Sequence, residues 1–167
     1  IFKDEVNFLG IKNKDGKIIF AGPCSIESQE QLEKTINGFD TEMVTAIRGG
    51  VWKPRTKPGG FEGHGEEALK WIWDIHTKTN HKYKFATEIA KPEHVYACEK
   101  YKGRPIDIYW VGARTTTNPF AVQELIDAIQ SKHTPVFIKN PMNPDLDLWV
   151  GAVERFIKGG HTNIGLI

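Results

Sequence analysis

Reactive and charged residues recur at one repeated place in this sequence, the turn that leaves a short apolar, β-branched run. Cys24 follows the first run, Arg48, Lys53 and Arg55 the second, Glu88 the third, Arg114 the fourth and Lys139 the fifth. In parallel α/β architectures ligands bind at the carboxyl ends of the strands, so these residues, far apart in sequence, are expected to converge on one mouth. Several positive side chains in one concave site repel one another unless anions fill it. Arg offers a bidentate fork to phosphate or carboxylate and Lys a point charge. The chemistry implied is the binding of substrates that carry several negative groups between them. Any single Lys or Arg reads better as a solvated loop charge; the register of the set with the strand ends is what favours the site reading.

Other residues carry less. Gly22-Pro23 turns the chain out of the first run and would set the Cys24 thiol at the mouth, although spacing fits a small buried hydrophobe as well. Cys98 lies three residues after Val95 on a helix and reads as core. His64 sits in a glycine-rich turn and reads as a loop residue rather than a ligand. The glycines at 59, 60, 63 and 65 do not have the spacing of a nucleotide-binding loop.

The elements that must position these groups alternate. The apolar runs span Lys17 to Ala21, Met43 to Ile47, Lys84 to Thr87, Ile106 to Val111, Pro135 to Ile138 and Asn163 to Ile167. Helix-start signals fall between them: an S-x-x-Q box at Ser28 and Gln31, Pro92 at a first helical position, and Asn118-Pro119 and Asn143-Pro144 as cap followed by first turn. Leu146, Trp149, Val150, Val153, Phe156 and Ile157 recur at three and four residues before Gly159, which predicts a helix with one apolar face on a sheet. Strand and helix in alternation imply βαβ units with right-handed crossovers, in either a barrel or an open doubly wound sheet. Ahead of them, Asn13-Lys14-Asp15-Gly16 between apolar runs predicts a hairpin over residues 1–16, capping the barrel floor.

Composition bounds the partners. The 167 residues suffice for one sizeable core, and 40% hydrophobic with 26% charged residues is ordinary for a globular chain. Lys plus Arg total 22 against 21 Asp plus Glu, which gives no global field for nucleic acid or an anionic membrane. With two cysteines and no long apolar stretch, the expected setting is cytoplasmic, with no membrane and no nucleic-acid partner.

At the same turns the sequence resembles a known family. The stretches are Ala21-Gly22-Pro23-Cys24-Ser25-Ile26-Glu27-Ser28, Arg48-Gly49-Gly50-Val51-Trp52-Lys53-Pro54-Arg55-Thr56, Ala86-Thr87-Glu88, Val111-Gly112-Ala113-Arg114-Thr115 and Ile138-Lys139-Asn140-Pro141. They are similar to the type I 3-deoxy-D-arabino-heptulosonate 7-phosphate (DAHP) synthases, the shorter subtype related to 3-deoxy-D-manno-octulosonate 8-phosphate synthases. The resemblance implies a TIM (β/α)8 barrel, here incomplete at about six strands over residues 17–167. It implies a transferase that condenses phosphoenolpyruvate with erythrose 4-phosphate to DAHP and phosphate, the first shikimate-pathway step toward aromatic amino acids. By the same resemblance Arg48, Lys53, Arg114 and Lys139 hold phosphoenolpyruvate and Pro54, Arg55 and Thr56 face the aldose phosphate. Lys53 and Glu88 stand at the reacting centre, Glu88 for acid/base work or water positioning. Cys24 ligates a divalent metal (Mn, Fe, Co or Zn) that polarises the aldehyde. A homo-oligomer, dimer or tetramer, is expected.

A complete barrel of this kind takes about 250 residues, and the family continues into a His-Arg-Gly turn, two more strands and further His, Glu and Asp metal ligands. The expectation is a truncated or partial chain with one of four ligands, whose unclosed sheet leaves two long strand edges. Two alternatives stand beside the main one: a sister condensation with arabinose 5-phosphate, against which Lys53-Pro54-Arg55-Thr56 argues, and a catalytically silent phospho-ligand-binding fragment.

Overall fold

The computed structural model describes residues 18–40 and 42–167; the hairpin expected over residues 1–16 lies outside them, as does Lys17. The described chain runs β1 (Phe20–Ala21), α1 (Gln29–Asn37), β2 (Ala46–Arg48), α2 (Glu66–Lys78), β3 (Lys84–Ile89), α3 (Pro92–Lys100), β4 (Ile108–Val111), α4 (Ala113–Thr116), α5 (Pro119–Ala128), β5 (Val136–Ile138), α6 (Leu146–Lys158) and β6 (Ile164–Leu166). The strands form one six-stranded sheet in the order β1-β2-β3-β4-β5-β6, every pair parallel. This is an incomplete α/β barrel with its helices on the outside, and it decides between the two architectures that the alternation allowed.

Helix starts follow the local chemistry. Ser28 Oγ accepts from Gln31 N at 3.0 Å, and the Gln31 side chain reaches back to Glu27 N at 2.9 Å, which satisfies two amide donors at the head of α1. Pro92 occupies the first turn of α3, and Asn118 Oδ1 caps α5 through Phe120 N and Ala121 N. The start of α6 is displaced from the sequence reading. Asp145, not Asn143, is the cap and accepts from Leu148 N at 3.0 Å, because its carboxylate sits one residue ahead of the helix while Pro144 lies outside it.

Strand alternation sorts side chains between two faces. Ile47, Phe85, Ile89, Tyr109, Val111, Val136 and Ile138 point outward and join Leu32, Leu69, Ile72, Val95, Leu125 and Phe156 of the helices in the main core. Each fully buried aliphatic or aromatic side chain here contributes about 1.5–3 kcal/mol. Ala46, Ala86, Ile108 and Trp110 form a second cluster on the inner face, flanked by Phe20 and Phe137. The apolar face expected on α6 is divided. Ala152 and Phe156 are buried, Trp149 and Val153 pack beside them, and Leu146, Val150 and Ile157 are exposed, because a helix on a curved sheet presents only a narrow stripe to it.

The outer strands of the sheet are β1 and β6. Among the described residues β1 contributes two residues and β6 three. No helix among the described residues is long and apolar enough to cross a membrane.

Candidate functional site

The inner face carries the site because its strands repeat one device. In β2, β3, β4 and the β5 exit, a small or apolar residue is followed two positions later by a chemically active or aromatic one: Ala46 and Arg48, Ala86 and Glu88, Ile108 and Trp110, Phe137 and Lys139. A separation of two keeps each pair on one face, so the first members fill the floor and the second form the mouth. Glu88 and Trp110 are register partners on adjacent strands. Arg48 and Glu88 thus belong to β2 and β3 themselves, where the sequence placed them in the turns beyond.

Trp110 organises these groups. The Arg48 guanidinium carbon stands 4.7 Å from its ring centroid and Lys139 Nζ 5.9 Å, both within cation–π range. Its Nε1 donates to Glu88 Oε2 at 3.2 Å. The π face and the carboxylate together offset part of the repulsion between the two cations. A cleft of about 660 Å³ opens over this surface, lined by Phe20, Arg48, Ala86, Trp110, Phe137 and Lys139 among others.

Cys24 enters from β1. Gly22 has φ +149°, and a Cβ there would collide with the Arg48 carbonyl, so the close pass of the two strand exits requires glycine. Ile26 N to Gly50 O at 3.0 Å and Gly50 N to Cys24 O at 3.2 Å then stitch the two turns together. Lys53 Nζ donates to Cys24 O at 3.1 Å and approaches Sγ at 3.3 Å. The Lys53 hydrogen bond and the charges of Lys53, Arg48 and Lys139 hold the Cys24 thiol below its ordinary pKa, with partial burial opposing them. The exposed thiol therefore feels three of the predicted cations at once, which excludes the reading of Cys24 as a buried hydrophobe.

Not every predicted residue joins this group. Pro54 is half-buried and Thr56 exposed, in the loop beyond Lys53, and Arg55 Nε is engaged with Phe61 O at 2.9 Å inside that loop. Arg114 lies at the second position of α4, at the carboxyl end of β4, with an exposed side chain. The convergence consists of Cys24, Arg48, Lys53, Glu88 and Lys139.

Trp110 and Thr87 were missed by sequence reasoning. Thr87 Oγ1 is buried and accepts from Val51 N at 3.1 Å, which fixes the start of the Lys53 loop. Thr87 stood in the stretch Ala86-Thr87-Glu88 without a role of its own, since a hydroxyl that bonds a backbone 36 positions away leaves no local signature. His64 remains a loop residue, with ring contacts to Phe61 and Trp71 and Glu67 Oε2 at 3.6 Å from Nδ1. Cys98 is core, and burial pushes its thiol pKa well up.

The described residues alone do not fit a divalent cation. No group of three or more His, Cys, Asp or Glu is assembled among them, and the nearest charge to the Cys24 sulfur is an ammonium. One thiol does not hold such an ion.

Residues 6–166 match the sequence profile of the DAHP synthetase I family. Phospho-2-dehydro-3-deoxyheptonate aldolase of Thermotoga maritima is 30% identical over 146 residues, 87% of this chain and 40% of that protein. Among solved structures, the Thermotoga maritima DAHP synthase superposes with a TM-score of 0.74 at 27% identity over 96% of this chain and 44% of its own. A truncated form of the 3-deoxy-D-arabino-heptulosonate 7-phosphate synthase from Thermotoga maritima gives 0.67 at 25% identity over 89% and 49%. The chain thus spans about two-fifths of the curated relative that it matches. With that match running over nearly its whole length, the chain belongs to the DAHP synthetase I family.

Proposed function

We propose that this chain supplies the phosphoenolpyruvate-binding part of an enzyme that condenses phosphoenolpyruvate with erythrose 4-phosphate, giving DAHP and inorganic phosphate. The observation that carries the reading is the convergence of Arg48, Lys53 and Lys139 on one face, beside Trp110 and around the Cys24 thiol. Phosphoenolpyruvate brings a phosphate and a carboxylate, and this density of cations offsets both.

In the reaction the enol carbon of phosphoenolpyruvate forms a bond to the aldehyde carbon, whose oxygen takes up a proton. Water adds to the carbon that bears the phosphate, and phosphate leaves. Arg48, Lys53 and Lys139 orient the enol phosphate and carboxylate, and Arg114 adds a fourth cation from the α4 rim. Glu88, kept beside Trp110 Nε1, moves a proton at the aldehyde oxygen or orients the attacking water. Pro54, Arg55 and Thr56 face the aldose phosphate once Arg55 releases the Phe61 carbonyl. We assign Cys24 as one donor to a divalent ion whose other ligands lie outside the described residues; such an ion would supply Lewis acidity.

The test is phosphate release by the full-length protein carrying this chain, with phosphoenolpyruvate and erythrose 4-phosphate, and with arabinose 5-phosphate as the competing aldose. Turnover only with arabinose 5-phosphate, or with neither, rejects the assignment. A second reading, that this stretch alone binds phosphorylated anions without turnover, is favoured by the finding that no group of three or more His, Cys, Asp or Glu is assembled among the described residues. Turnover by the isolated chain would exclude it.

A further inference from the structure

We propose that His94 is a positioning residue that ties together the two loops carrying Lys53 and Glu88. The inference rests on the roles given above to those two residues and adds what holds them in place.

His94 lies in the first turn of α3 and is 7% exposed. One face of its ring stacks on Trp52, centroids 4.3 Å apart and planes 4° from parallel. Trp52 immediately precedes Lys53, so the stack anchors the residue from which the ammonium swings toward Cys24. The same loop closes beside the indole edge: Lys53 N donates to Glu62 O at 2.8 Å, Gly65 N to Val51 O at 3.2 Å, and the Cβ position at Gly65 lies 3.3 Å from Trp52 Nε1. The edge of the imidazole serves the second loop. Nδ1 accepts from Ala90 N at 3.2 Å, two residues beyond Glu88, which leaves the proton on Nε2.

A space-filling role does not explain the choice of residue. Burial pushes the His94 pKa down to about 4, and taking a polar imidazole out of water carries a desolvation cost that phenylalanine would avoid. Phenylalanine offers the face but no lone pair for Ala90. Asparagine offers an acceptor but no face. Histidine supplies both to different loops.

Two variants of the full-length protein separate the two contacts. His94→Asn removes the stack, and Lys53 should drift from Cys24. Alkylation of Cys24 by iodoacetamide, mapped by mass spectrometry in chelator at neutral pH, should slow about threefold or more toward the Lys53→Met level, because less thiolate is present. KM for phosphoenolpyruvate should rise about tenfold, about 1.4 kcal/mol of lost binding. His94→Phe should keep the alkylation rate and KM near wild type while kcat falls, because the Glu88 turn has lost its acceptor. If His94→Asn folds poorly, Trp52→Leu against Trp52→Phe repeats the comparison from the other side of the stack. Wild-type Cys24 reactivity in the Asn and Leu variants, measured beside a Lys53→Met protein that is slowed, overturns the proposal; if Lys53→Met is not slowed, an unchanged KM for phosphoenolpyruvate in those variants overturns it. The thiol readout needs no substrate, so it decides the role of His94 even if the wild-type protein binds no phosphoenolpyruvate, an outcome that would defeat only the assigned function.

Discussion

Gly112→Ala isolates the placement of Glu88. Gly112 precedes α4 at φ −69° and ψ 156°, a conformation that any L residue adopts, so alanine meets no backbone penalty there. Its Cβ would instead fall into the Glu88 carboxyl group, overlapping Oε1 and lying 2.9 Å from Cδ. Glu88 must swing aside, and Trp110 Nε1 loses its partner. Because the displaced group is the end of a flexible side chain, overpacking costs only the low end of its usual range, about 1 kcal/mol, and the lost hydrogen bond to a half-exposed carboxylate adds about 1 kcal/mol. The reduced freedom of the unfolded chain returns about 0.4–1 kcal/mol. The expected net loss of about 1–2 kcal/mol lowers Tm by roughly 2–8 °C in a domain of this size. Glu88→Ala removes the obstacle, so in Gly112→Ala/Glu88→Ala the Gly112 substitution should cost almost nothing. Urea melts of the four proteins should give a coupling of about 1–2 kcal/mol. Strictly additive costs would refute the reasoning and mean that Glu88 does not occupy the space beside Gly112.

Three further outcomes follow from the electrostatics. Lys53→Met removes the hydrogen bond and the ammonium charge beside the Cys24 sulfur, so the thiol pKa should rise and alkylation at neutral pH should slow; an unchanged rate would mean that Arg48 and Lys139 suffice. A disulfide-exchange reagent should modify Cys24 rapidly in the folded protein and Cys98 only after denaturation, since Cys98 is buried and its thiol is held protonated; equal rates would place Cys98 at the surface. His94 has its pKa depressed from 6.5 to about 4, so between those values the unfolded chain binds a proton that the folded ring refuses. Stability should therefore fall as pH drops through that window, by at most about 3 kcal/mol, and His94→Phe should lose less. Parallel losses in denaturation curves at pH 7, 5.5 and 4.5 would exclude His94 as a source.

Much of the fold was legible because its signals are local. β-branched runs and helix caps set the alternation, and the rule that strand exits face the ligand selected Arg48, Lys53, Glu88 and Lys139 before any geometry. What escaped depends on contacts between distant residues. Trp110 lies in Ile108–Val111, buried at every position, and a strand covered on both faces shows no polar alternation to mark which residue faces the site. Arg55 resembled its neighbours in sequence but spends its donor on a carbonyl of its own loop. The α6 stripe met the helical period, yet the period does not say how wide a contact the curved sheet offers. His94 looked like any polar residue early in a helix, since neither its stack nor its buried acceptor has a sequence signature.

The strand order follows the chain order without exception from β1 to β6. Among these six strands each docks on the one made just before it, so none of the five observed pairings waits for a residue synthesised much later. A chain emerging from the ribosome could add these units one at a time, closing only short loops at each step. Mutational damage to one unit should accordingly stall its successors and spare its predecessors, so partially folded species would share an intact amino-terminal side.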